Sequence, residues 1–243
     1  MSSITTTTGS IERQVSNVGV RNRLFDALTL SSGAIDSISF LGLGKVFTAF
    51  MTGNVAFLGM GIAGNTMPRV ASVLASMIAF AVGIYLATII QSSGEQKSDV
   101  IWSPRTTLVL GVSLLAHLGF VAIWFANSGR PDASLFPILL AVWALAMGLQ
   151  SGAVRKLHVE GIFTTAATGT LMVLASDVVN WKKTVDERRR ARFVLLSLCI
   201  GATAGAYLFF HAPIFAPVLP LVITAGVVLT AARVHWSYDA SAA

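Results

Sequence analysis

The way charge is distributed along this chain limits its fold more than any other feature. Only 12% of the 243 residues are Asp, Glu, Lys or Arg, against about 25% in a soluble domain. Those charges gather in short clusters between long apolar runs. Eight runs can be read: Leu24–Leu43, Val46–Ala63, Val70–Ile90, Thr106–Ala126, Leu135–Val154, Gly161–Val179, Phe193–Phe210 and Ile214–Val234. With so few charges left for a surface, the chain cannot wrap these runs into one water-soluble core. A bundle of membrane-crossing helices accommodates them, because about 20 mainly apolar residues cross a bilayer and a helix satisfies its own backbone. The mean hydropathy of +0.74 agrees. The fold class expected is all-α, polytopic, with eight transmembrane segments and six as the alternative.

The runs differ in strength. The third, fourth, fifth and eighth are long enough to cross without difficulty. The first carries Asp26, Asp36 and several serines, the second and sixth are short and rich in Gly, Thr and Ala, and the seventh is near the lower limit. With eight spans and the first residues inside, inside segments hold 12 of the 17 Lys and Arg and outside loops hold 5. That bias places both termini on the inside, the cytoplasmic side. It leans on the cluster from Lys182 to Arg192. Residues 1–22 are polar, Ser/Thr-rich and lack the apolar core of a secretory signal, so a disordered cytoplasmic tail is expected there, and a short tail over 236–243. Trp102, Trp124, Trp181 and Trp236 fall near run ends, as interfacial anchors do, whereas Trp143 is mid-run and expected to pack between helices. The single cysteine, Cys199, forms no internal disulfide.

A repeat divides the chain. Phe47-Thr48-x-x-x-Thr52-Gly53 recurs as Phe163-Thr164-x-x-x-Thr168-Gly169, 116 residues on (163 − 47). Two related membrane halves, 23–127 and 134–235, are expected. Proteins built this way place their working site where the halves meet. Four spans per half would make the halves parallel; three would make them inverted.

The stretch Gly33-x-x-Asp36, followed by Phe47-x-x-x-x-Thr52-Gly53-Asn54, resembles the YoaK-like family, as does Gly148-Leu149-Gln150-Ser151-Gly152-Ala153-Val154-Arg155 followed by Thr168-Gly169-Thr170. The resemblance covers about residues 24–234. It implies a bacterial multi-pass inner-membrane protein, usually with about six spans, and supplies no substrate or catalytic residue.

Polar residues inside apolar runs are the candidate site. A carboxylate at the centre of a transmembrane helix costs about 2.5–3.5 kcal/mol on insertion scales, so Asp36 needs compensation. Ser32 and Ser39 share its helix face at i−4 and i+3. Asp36 either lines a polar pathway for a proton or cation, or is a structural anchor bonded to a neighbouring helix or to Lys45. Thr48 and Thr52, like Thr164 and Thr168, share a face if helical. With Gly53, Gly169 and Asn54 they suggest interrupted helices that offer hydroxyls and N–H groups near the midplane. Gln150 is a candidate pathway residue or interhelical glue, and His117 a less specific relay candidate. Gly148-x-x-x-Gly152 and Gly201-x-x-x-Gly205 read as close helix packing.

The expected function is a secondary transporter or permease for an unidentified small solute or proton, in contact with the lipid bilayer. A non-transporting receptor or assembly protein is the alternative. Neither a Walker loop nor a nucleophile elbow occurs, and metal-ligand spacing is lacking. No enzymatic activity, cofactor, metal or nucleic-acid partner is therefore expected, and the oligomeric state is left open.

Overall fold

A computed structural model describes residues 2–64, 69–92, 102–155, 170–172, 175 and 185–239, with side chains over 17–64, 69–92, 102–155, 170–172, 175 and 189–234. Among these residues the chain is helical and carries no strand. The helices are α1 (Ser2–Gly42), α2 (Met51–Gly64), α3 (Val70–Ser92), α4 (Pro104–Ala126), α5 (Phe136–Arg155), α6 (Val185–His211) and α7 (Val218–Asp239), with a 3-10 turn at Pro213–Phe215 before α7. Six stretches are long and apolar enough to cross a membrane: Asn17–Gly42, Val70–Ser92, Pro104–Ala126, Phe136–Arg155, Arg189–His211 and Pro213–Val234. The 14-residue α2 is about 21 Å long at 1.5 Å per residue, short of an apolar layer of about 30 Å. The polytopic helical fold holds. The sixth run, Gly161–Val179, lies mostly outside the described residues.

The weak first run is a full-length helix, as the eight-run reading has it, with three of its hydroxyls satisfied within the helix. Thr29 donates to the Phe25 carbonyl at 2.8 Å, Ser37 to the Ala34 carbonyl at 2.9 Å and Ser39 to the Asp36 carbonyl at 3.1 Å, the back-bonding that lets a hydroxyl sit in lipid. Two expectations change. The expected disordered tail over 1–22 is helical from Ser2. No proline interrupts it, and a helix already nucleated by packing extends at little further cost. Trp124 is no interfacial anchor. It is fully buried, stacks on Phe120 at 5.6 Å and donates its indole N–H to the Pro213 carbonyl at 3.0 Å. Trp143 packs between helices as expected, 3.5 Å from the Phe120 ring centroid.

Helix ends follow their sequences. Ser103 caps α4 through the Arg105 N–H at 3.3 Å, with Pro104 at the first helical position, where its missing N–H costs nothing. At the other end Asn127 donates to the Ile123 carbonyl at 2.8 Å. Ser128 and Gly129 then turn the chain at φ 52° and 73°.

Two helix pairs have the most extensive contacts, α1 with α6 and α3 with α5; α4 with α5, α1 with α7 and α4 with α7 follow. Helices α1 and α5 are the innermost spans, α3 and α6 the outermost, and α4 and α7 lie between. Both main crossings are built on glycine. A Cβ at Gly201 would strike the Leu30 carbonyl, and one at Gly33 the Leu198 carbonyl. In the other pair a Cβ at Gly148 would strike the Phe80 carbonyl and one at Gly83 the Leu145 carbonyl. Apolar burial gives no drive between helices already in lipid, so close backbone approach supplies the attraction. The packing reading of both small-residue pairs agrees with these contacts.

Candidate functional site

Helix α1 ends in a Schellman turn. The Lys45 N–H reaches back to the Phe40 carbonyl at 3.1 Å, and Gly44 adopts φ +83°, followed by Lys45 at +66°. Glycine takes this conformation without strain. The chain then stays non-helical through Phe50, and α2 begins only at Met51. Non-helical backbone at membrane depth persists only where the protein satisfies it.

Three side chains from three helices do so. Asp36 Oδ1, from α1, accepts the Thr48 N–H at 2.9 Å, the Ala49 N–H at 2.8 Å and the Thr48 hydroxyl at 3.3 Å. Asn54, from α2, accepts the Phe47 N–H at 3.0 Å and donates to the Phe47 carbonyl at 2.7 Å. Ser76, from α3, donates to the same carbonyl at 2.7 Å. The Asp36 carboxylate thus faces the positive end of α2, where a helix favours an anion.

The same carboxylate borders a cleft of about 600 Å3 between α1 and α6. Ser32, Asp36, Ser37 and Phe40 of α1 form one wall, Leu198, Ala202, Thr203 and Ala206 of α6 the other, and Phe47 and Phe50 of the broken segment close one end. Asp36 is half-buried there. The Ser32 hydroxyl is buried and without a hydrogen-bond partner among the described residues. The Phe47 ring lies 4.8 Å from Phe40, stacked, and 5.3 Å from Phe50, edge to face.

The candidate residues divide. Asp36, Ser32 and Thr48 meet at or beside the cleft. Ser39 is buried but turned into its own helix. Asn54 is fully engaged in holding the Phe47 peptide. Thr52 is exposed and does not share a helix face with Thr48, since Thr48 precedes α2. A Cβ on Gly53 would meet the Phe50 ring at 2.7 Å, so this glycine makes room for that ring. Lys45 does not pair with Asp36; its Nζ sits 5.0 Å above the Phe40 ring. Gln150 belongs to the helix packing, donating to the Leu28 carbonyl at 3.2 Å with its Oε1 buried and unpartnered among the described residues. Both His117 ring nitrogens are likewise buried without such a partner. Thr164, Thr168 and Gly169 lie outside the described residues.

Sequence reasoning missed Ser76, Phe40 and the α6 wall. Phe47 and Phe50 were inside the repeated motif but were not counted as site residues. Their spacing beside a threonine and a glycine was the available signal. No local pattern pointed to Ser76 or to α6.

Residues 24–230 match the family described as "Protein of unknown function (DUF1275)". The chain is 32% identical over 222 residues to the UPF0700 transmembrane protein YoaK of Bacillus subtilis (strain 168), covering 87% of this chain and 94% of that relative. No solved structure matches the chain. A multi-pass helical architecture, the Gly33-x-x-Asp36 helix and the match over most of the chain agree: this protein belongs to the DUF1275, YoaK-like family of transmembrane proteins.

Proposed function

We propose that the protein is a secondary transporter or channel-like permease for a small solute, working through the Asp36 cleft. The observation that carries this reading is a partly buried carboxylate on a cleft wall that also holds the non-helical connection between α1 and the short α2. Intramembrane ionisable residues are rare and mark pathways.

The proposal includes two related halves. The helix pairings support this: α1 packs on α6 as α5 packs on α3, and α1 on α7 as α5 on α4. Exchanging α1 with α5, α3 with α6 and α4 with α7 interchanges the members of these two sets and maps the α4–α7 pairing onto itself. The same exchange preserves the order from inner to outer helices. The site is not central along α1. Six residues separate Asp36 from Gly42, about 9 Å of helix, so the carboxylate sits towards one membrane face. Both termini are placed on the cytoplasmic side of the inner membrane, following the bias of basic residues.

Proteoliposomes carrying a luminal pH dye, challenged with a panel of small solutes, test the reading. Solute-dependent uptake or proton movement is expected with the wild type and lost in Asp36→Asn. Equal uptake by both would remove Asp36 from the pathway. A non-transporting receptor or assembly protein is the second reading. What favours it is that the bonds from Thr48 and Ala49 already give Asp36 a structural role. That reading expects substitutions in Arg188–Arg192 to abolish function while Asp36 changes act only through stability.

A further inference from the structure

We propose that the cleft between α1 and α6 recognises an organic cation with an apolar body, an aryl- or alkylammonium. This rests on the reading of the cleft as a solute site and names the class of solute. Three observations converge. Among the described residues Asp36 is the one charged side chain lining the cleft, with Oδ1 held by the segment between α1 and α2. An anion would meet this carboxylate at close range in a low-dielectric surrounding, where like charges repel strongly. Phe40, Phe47 and Phe50 line the cleft as a stacked and edge-to-face cluster, and an aromatic ring attracts a cation through its quadrupole. Phe40 already has one cation, the Lys45 ammonium, 5.0 Å from its centroid. The rest of the wall is mostly apolar, from Leu198, Ala202 and Ala206, with the Ser37 and Thr203 hydroxyls bonded to their own helices. The buried Ser32 hydroxyl, on a residue lining the cleft, has no partner among the described residues. A site with one carboxylate, aromatic faces and apolar walls suits a compact charge carried on a greasy frame. An inorganic cation would find too few oxygen ligands there.

The test uses the full chain in phosphatidylglycerol nanodiscs, with benzyltrimethylammonium as the probe. Its neutral isostere neopentylbenzene and the anion phenylacetate are the comparisons, all read by calorimetric titration. Saturable binding of the ammonium is expected, at least about tenfold tighter than the neutral isostere, with no binding of the anion. Asp36→Asn should weaken the ammonium about tenfold. Phe40→Leu with Phe50→Leu should weaken it about fivefold while leaving the isostere within about twofold. Equal affinity for ammonium and isostere, or Phe variants that change both alike, would overturn the proposal even if Asp36→Asn fails to fold. Competition by added phosphatidylethanolamine would support ammonium recognition and identify a lipid headgroup as its source. Binding without flux in proteoliposomes would keep the cation site and remove the transport reading. Asp36-dependent flux of a neutral solute with no ammonium binding would do the reverse.

Discussion

The two main helix crossings use one device and reach different ends. In the α3–α5 crossing, Gly83 and Gly148 press backbone on backbone, and a Cβ on Gly152 would lie 2.5 Å from the Ala87 Cβ. In the α1–α6 crossing, Gly33 and Gly201 do the same and Gly205 continues the close packing against Ala34 and Ser37, but three residues after Gly33 stands Asp36, and a cleft opens beside it. Counting back 116 residues from Gly152 gives Asp36 (152 − 116). One crossing therefore has a glycine and a packed seam where the other has a carboxylate, a broken helix and a cavity. Small residues bring the helices together in both crossings; the carboxylate and the cleft beside it belong to one of them.

The largest effect separates neither crossing. Gly201→Val and Gly148→Val each force a side chain into a facing carbonyl, and overpacking of this kind costs about 3 kcal/mol. Both should lose monodisperse protein on size exclusion in detergent; survival of either would mean its crossing is looser than described. The next effect belongs to the first crossing alone. Asp36→Ala leaves the Thr48 and Ala49 N–H groups without an acceptor, a loss of about 2 kcal/mol. Asp36→Asn keeps an oxygen acceptor and should lose less than half of that, as read from paired thermal melts. Asn54→Ala frees the Phe47 peptide and should cost about 1 kcal/mol. Faster hydrogen exchange confined to the segment before α2 would reveal it; unchanged exchange would show that Ser76 suffices. Thr52→Val, on an exposed face, should stay within about 0.5 kcal/mol of wild type. A larger shift in its melting curve would mean Thr52 has a partner.

Much of the fold was legible because the lack of charge leaves few alternatives. The runs Val70–Ile90 and Thr106–Ala126 correspond to Val70–Ser92 and Pro104–Ala126. The break at Lys45–Phe50 was not legible. Val46–Ala63 reads as one apolar run, and only a carboxylate twelve residues upstream of Thr48, bonding across the turn, explains why the helix waits until Met51. Asp36 stood out as a buried charge in a span. Its neighbours Ser76 and Thr203 did not, since hydropathy is local and these contacts join helices far apart in sequence. Trp124 was misplaced for the same reason. Its position near a run end suggested the interface, but the Pro213 carbonyl that receives its indole N–H lies 89 residues on, in the turn after α6.

The central claim is that the α1–α6 cleft is a solute-accessible site and not a lipid-filled seam. Single cysteines in a Cys199→Ser background test it directly. Ala206→Cys faces the cleft, and Ile200→Cys faces outward on the same helix, 56% exposed. With a charged, water-soluble thiol reagent applied to native membranes, the cleft cysteine should react and the outward one should not. Labelling of Ala206→Cys only by a lipid-soluble reagent, at the same rate as Ile200→Cys, would contradict the account.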